Sequence, residues 1–132
     1  MRTPTETVQT FVDAFVAAWP VGDADAVARF FDEDAVYQNG PLPKLRGRDA
    51  IRDELARFMA LGGEVAVDIR HLVAEGELVM SERVDRFVLD GRTISLPVMG
   101  AFEVRDGVIT AWRDYFDLAQ FTAQLADGTT AP

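Results

Sequence analysis

Apolar residues recur along this chain with two different periods, and the change near residue 64 divides it into a helical half and a stranded half. Val8, Phe11, Val12, Phe15, Val16 and Trp19 fall at the three-and-four spacing of one helix face. Thr3-Pro4-Thr5-Glu6 supplies the start of that helix: a threonine cap, proline at the first helical position and a glutamate that closes a capping box. Pro20 and Gly22 end it, and Asp23 caps a second helix predicted to run to about Phe31, with Val27, Phe30 and Phe31 as its apolar side. The acidic turn Asp32-Glu33-Asp34 then leads to a short strand, Ala35 to Asn39, stopped by Gly40-Pro41-Leu42-Pro43. Arg46-Gly47-Arg48-Asp49 opens a third helix with Ile51, Leu55, Phe58 and Met59 inward, and Gly62-Gly63 closes it.

From Glu64 the period is two. Val65, Val67, Ile69, His71 and Val73 alternate with Ala66, Asp68, Arg70 and Leu72, and Glu75-Gly76-Glu77 turns the chain into the strand Leu78 to Leu89. Asp90-Gly91 and Asp106-Gly107 are hairpin signals that bracket a strand from Thr93 to Val104 and introduce another from Val108 to Phe116. A tail helix, Leu118 to Leu125, is followed by residues 126–132 as a disordered or extended tail. Helices first and a meander afterwards predict an α+β fold. Long strands coil, so the expected form is a strongly curved, mixed but mostly antiparallel sheet packed by three to four helices, a cone with an interior pocket.

Composition narrows the setting. A chain of 132 residues suits a single domain, 1–132, that buries roughly two thirds of its unfolded surface. With no cysteine, disulfides, thiolate metal sites and cysteine nucleophiles are excluded, and the cytoplasm is the default compartment. A formal charge of -9 repels phosphate backbones and anionic headgroups, so neither nucleic acid nor a membrane surface is an expected partner. The first residues lack a basic flank ahead of an apolar core, and no run is apolar for long enough to span a bilayer.

Several chemistries lack their motifs: there is no glycine-rich phosphate loop and no Gly-x-Ser-x-Gly elbow. His71 is the only histidine, so a transition-metal site is not expected and His71 is read as structural. What stands out is Arg83-Val84-Asp85, since strand residues two apart share a face and set a guanidinium beside a carboxylate. Thr110, Trp112, Asp114 and Phe116 share a face of the last strand, and Tyr37 and Asn39 share one of the first. If these faces meet, two carboxylates flank one arginine in apolar surroundings, which is costly unless the groups bond to one another. The competing reading is a structural ion pair at a sheet edge, with Tyr37 covering the core and Asn39 shaping its turn.

Taken in order, Tyr37-Gln38-Asn39 with Pro41-Leu42-Pro43, Gly47-Arg48-Asp49-Ala50, Glu82-Arg83-Val84-Asp85 and Trp112-Arg113-Asp114-Tyr115-Phe116-Asp117 resemble the limonene epoxide hydrolase family. That family lies within the cone-shaped NTF2-like (cystatin-like) superfamily that includes the SnoaL-like cyclases and ketosteroid isomerase. The resemblance spans about Phe11 to Phe121 and implies a hydrolase that adds water to an epoxide in one step, without covalent intermediate, cofactor or metal. Carried over, Asp114 is the general base, Asn39 and Tyr37 help hold the water, Asp85 is the general acid and Arg83 bridges both carboxylates. Such a pair suits the reaction, because like charges this close favour one shared proton and leave one base beside one acid.

The phase of the alternation points Trp112, Phe116, Phe87, Leu96 and Val98 into the pocket, joined by Val16, Trp19 and Phe58 from the helices, and Trp19 and Pro97 are expected to reshape it. An apolar terpene-like, cycloaliphatic or aryl epoxide and water are the implied ligands. Relatives form homodimers, for which the outer half-set Val84, Arg113 and Tyr115 offers a surface. A SnoaL-like cyclase, a ketosteroid-isomerase-like proton-transfer enzyme or a non-catalytic small-molecule binder are the alternatives.

Overall fold

The chain is described, in this computed structural model, over residues 1–127. The last helix runs on to Asp127, two residues into the stretch 126–132 expected as a tail, and the remainder of that tail, 128–132, lies outside the described residues. Its elements are α1 (Pro4–Ala18), α2 (Ala24–Ala28), β1 (Phe31–Asn39), β2 (Leu45–Arg46), α3 (Arg48–Met59), β3 (Glu64–Glu75), β4 (Leu78–Leu89), β5 (Arg92–Arg105), β6 (Val108–Tyr115) and α4 (Leu118–Asp127). The strands form one sheet in the order β2-β1-β6-β5-β4-β3, with β1 parallel to β6 and the other neighbours antiparallel. The expected α+β class and mixed, mostly antiparallel sheet are therefore found. Among the described residues no helix is long and apolar enough to cross a membrane.

Helix α1 starts with the capping box read from its sequence: the Thr3 hydroxyl accepts from the Glu6 N–H at 3.1 Å and the Glu6 carboxylate accepts from the Thr3 N–H at 2.9 Å. Its inner face sets Phe11 edge-on against Phe31, Phe102 and Trp112, with ring centroids 5.5, 5.9 and 5.1 Å away. These contacts pin the helix across the sheet. The second helix stops at Ala28, short of the expected Phe31, because Phe31 opens β1 instead, paired with Ile109. Between Phe31 and Val36 the β1–β6 register shifts. The acidic stretch Asp32-Glu33-Asp34, expected as a turn before the strand, is thus a bulge within it, where the Asp34 N–H donates to Asp32.

Both Asp-Gly hairpins take the positive φ that a tight right-twisting turn requires, 52° and 74° at Asp90-Gly91 and 52° and 80° at Asp106-Gly107. They fix the register of β4, β5 and β6. On β3 the expected alternation fails beyond Ile69, since a bulge at Arg70 sends His71 outward opposite Glu82 and turns Leu72 inward opposite Ser81. Val73 is accordingly 64% exposed. On the outer face of the sheet Val84 is buried at 8% exposure and offers no surface, whereas Tyr115, Met99 and Met80 are exposed there.

Beyond the end of β6, the outer edge of β5 is covered by α4. The Gln124 side chain accepts from the Ser95 N–H at 2.9 Å and donates to the Ser95 carbonyl at 2.8 Å, standing in for a neighbouring strand. Pro97 directs its backbone nitrogen to this same strand-free edge, two residues on, so its missing N–H costs no ladder bond. Its ring faces outward and exposed, opposite Val84. Pro97 therefore does not shape the cavity, contrary to the expectation from sequence.

Candidate active site

Register decides which side chains meet. Asp114 on β6 is flanked by Asn39 on β1 and Gly100 on β5, while Tyr37 pairs with Trp112 and stacks on it at 4.3 Å with the rings 17° apart. Arg83 and Asp85 share the inner face of β4, opposite Val98 and Leu96. To reach Asp114 the Arg83 side chain must cross β5, a span of two strand spacings or roughly 10 Å. It crosses at Gly100, where an added Cβ would collide with Arg83 Nη1 and crowd Asp114 Oδ1 and the Ser81 hydroxyl.

All five guanidinium N–H groups of Arg83 find acceptors. Nε donates to Asp85 Oδ1 at 2.9 Å, and Nη2 to Asp85 Oδ2 at 3.1 Å and Asp114 Oδ2 at 2.5 Å. Nη1 donates to Asp114 Oδ1 at 3.1 Å and the Ser81 hydroxyl at 3.3 Å. Trp112 Nε1 adds a further donor to Asp114 Oδ1 at 2.8 Å. Arg83, Asp85 and Asp114 are exposed by only 5, 9 and 5%, so this cluster has little help from solvent.

Burial pushes the Asp85 carboxyl above the ordinary carboxylate range, and its ion pair with Arg83 offsets this only in part. Burial disfavours the Arg83 charge as well, but Asp114 and Asp85 outweigh that effect and hold the guanidinium charged. Burial, then the Asp114 charge, pushes the Tyr37 phenol up, so it remains an O–H donor. Among the described residues no buried side-chain nitrogen or oxygen lacks a partner. The Tyr37 hydroxyl and Asn39 carboxamide, which bond to no group among the described residues, belong to side chains that line the cavity.

That cavity measures about 180 Å³ and has the triad in its wall. Of the side chains expected to line it, Trp112, Phe116, Phe87, Leu96, Val98, Trp19 and Phe58 do so. Val16 does not. It lies roughly 100° further round α1 than Phe15 and packs against the core, while Val12 and Phe15 face the cavity. Phe121 of α4, set edge-on to Phe87 at 6.2 Å, completes the wall.

The sequence reading passed over Ser81 and Gly100, although each left a signal. Ser81 lies two residues from Arg83 on the same face, and a glycine inside a strand often marks a close approach. His71 is far from this chemistry in role, its side chain 78% exposed and 3.7 Å from Glu82. Among the described residues no group of three or more His, Cys, Asp or Glu side chains is placed to hold a metal ion.

A curved mixed sheet, helices across its concave side and a polar cluster in the wall of an apolar cavity define the SnoaL-like, NTF2-like class. In fold the chain matches a solved SnoaL-like protein from Shewanella denitrificans OS-217, with a TM-score of 0.75 over 90% of this chain and 96% of that one at 19% identity. Within that class it belongs to the limonene-1,2-epoxide hydrolase family, whose catalytic domain matches residues 5–126. Epoxide hydrolase EphG of Mycobacterium tuberculosis is 35% identical over 120 residues, which is 91% of this chain and 80% of that protein. The solved structure of a limonene-epoxide-hydrolase-like epoxide hydrolase from M. tuberculosis superposes with a TM-score of 0.75 at 33% identity, over 92% of this chain and 91% of that one.

Proposed function

We propose that this protein is an epoxide hydrolase that adds water to an apolar epoxide in a single step, giving a vicinal diol without a covalent intermediate. The observation that carries this reading is the buried Asp85-Arg83-Asp114 triad in the wall of an apolar cavity. Family membership and the similarity to EphG support the reaction class. The apolar walls favour a terpene-like, cycloaliphatic or aryl substrate over a polar one.

In the reaction the Tyr37 hydroxyl, the Asn39 carboxamide and the Asp114 carboxylate hold a water molecule. As its oxygen attacks an epoxide carbon, Asp114 takes one of its protons, the carbon–oxygen bond of the ring breaks, and Asp85 delivers its proton to the departing oxygen. The raised Asp85 carboxyl suits an acid that must still carry its proton when substrate arrives. Turnover leaves the proton on Asp114 in place of Asp85, and exchange between the two carboxyls restores the starting state. Arg83 keeps its charge throughout, balancing the single negative charge of the pair. A simple binding module would need a cavity but not this costly cluster beside it.

Assays with cyclohexene oxide, styrene oxide and limonene oxide test the proposal. Wild-type protein forms the diols, while Asp85→Asn and Asp114→Asn each lower turnover by about a thousandfold or more with the circular dichroism spectrum unchanged. Substantial activity in either variant contradicts the assigned roles.

A further inference from the structure

Asp114 is not held symmetrically. A carboxylate offers about two acceptor positions on each oxygen, and both on Oδ1 are taken, one by Arg83 Nη1 at 3.1 Å and one by Trp112 Nε1 at 2.8 Å. Oδ2 accepts a single bond, from Arg83 Nη2 at 2.5 Å. One position on Asp114 is therefore open, and it lies on Oδ2. Asp85 differs in that each of its oxygens accepts only one bond, both from Arg83. Three donors face Asp114 and two face Asp85.

We infer that Trp112, besides walling the cavity, is a positioning residue whose indole N–H closes Asp114 Oδ1, directs proton abstraction to Oδ2, and biases the shared proton of the pair toward Asp85. The inference rests on the proposed epoxide hydrolysis only for its kinetic consequence. Its electrostatic consequence stands on the geometry, since donors to a carboxylate favour the charged form.

Trp112 is well placed for this. Its ring is stacked on Tyr37 and Phe102, at 4.3 and 5.7 Å, and met edge-on by Phe11 at 5.1 Å, so the indole has no freedom to withdraw its N–H. The charged and titratable groups around Asp114 are Arg83 and Asp85 from β4 and Tyr37 from β1, and the charge of Glu54 on α3 acts on Tyr37 in turn. None of them bonds to the indole N–H, whose acceptor is Asp114 Oδ1. The effect of that one donor is therefore separable.

The test replaces the N–H and keeps the shape, by introducing benzothienylalanine at position 112. Trp112→Phe, which also leaves a void, serves as the second variant. Carboxyl carbon-13 NMR titration follows Asp85 and Asp114 directly and needs no activity. Loss of the donor raises the lower macroscopic midpoint of the pair by about one pH unit, and proton occupancy shifts from Asp85 toward Asp114. In parallel, the acidic limb of kcat/KM for cyclohexene oxide moves up by the same amount, and kcat falls more than KM rises. Unchanged carboxyl titrations in the isosteric variant overturn the inference whether or not any epoxide is turned over. If the titrations move while wild-type protein forms no diol, the positioning role stands and the proposed function fails.

Discussion

Arg83 donates through all five of its N–H groups to two carboxylates and a serine hydroxyl, in a site from which water is largely excluded. Removing it leaves two buried carboxylates facing each other with no cation. Arg83→Gln should cost on the order of 3–5 kcal/mol of stability near neutral pH, read as a fall in the urea midpoint. The deficit shrinks as the pH falls, because protonation then does what the guanidinium did. The sign for Asp85 itself follows from its raised folded-state titration. Its contribution is fully present below the unfolded carboxylate range and is lost as pH rises through the folded value, so Asp85→Asn should flatten the stability profile over that interval. A deficit in Arg83→Gln that grows on acidification contradicts this account of the triad.

At the scale of elements, the site is made by registers and by one missing side chain. The Asp-Gly turns place Gly100 between Arg83 and Asp114, and the bulge at Asp32-Glu33-Asp34 places Tyr37 and Asn39 beside Trp112 and Asp114. Gly100→Ala should cut kcat by about a hundredfold or more, since misplacement of a reacting group by about 1 Å has that effect. A crystal structure of the variant would show the guanidinium displaced, and full activity would show that the crossing is not critical. The sharing of a face by Arg83 and Asp85 was legible from a period of two, and the hairpins from their turn residues. The bulges were not legible, because an extra residue reverses the in-and-out phase without changing composition, and so His71 and Val73 were assigned to the wrong face. Phe31 shows the same limit: its spacing suited a helix, and only pairing with Ile109, distant in sequence, drew it into a strand. Ser81 and Val16 depended on a hydrogen bond and a few tens of degrees of helix rotation, neither of which a pattern of apolar positions encodes.

At the scale of the whole molecule, the curved sheet, the helices across it and α4 along the edge of β5 hold Asp85, Arg83 and Asp114 against an apolar hollow of about 180 Å³. On the proposed function, an epoxide seated there would meet a trapped water and a proton donor, and ring strain would make any stronger nucleophile unnecessary. The central claim is that water, not a carboxylate, attacks the ring. Single-turnover hydrolysis of cyclohexene oxide in oxygen-18 water, with enzyme in excess, tests it most directly. The account predicts a fully labelled new hydroxyl in the first diol formed and no label in Asp85 or Asp114. Unlabelled diol in that first turnover, with the heavy isotope appearing later in a carboxyl group, would contradict it.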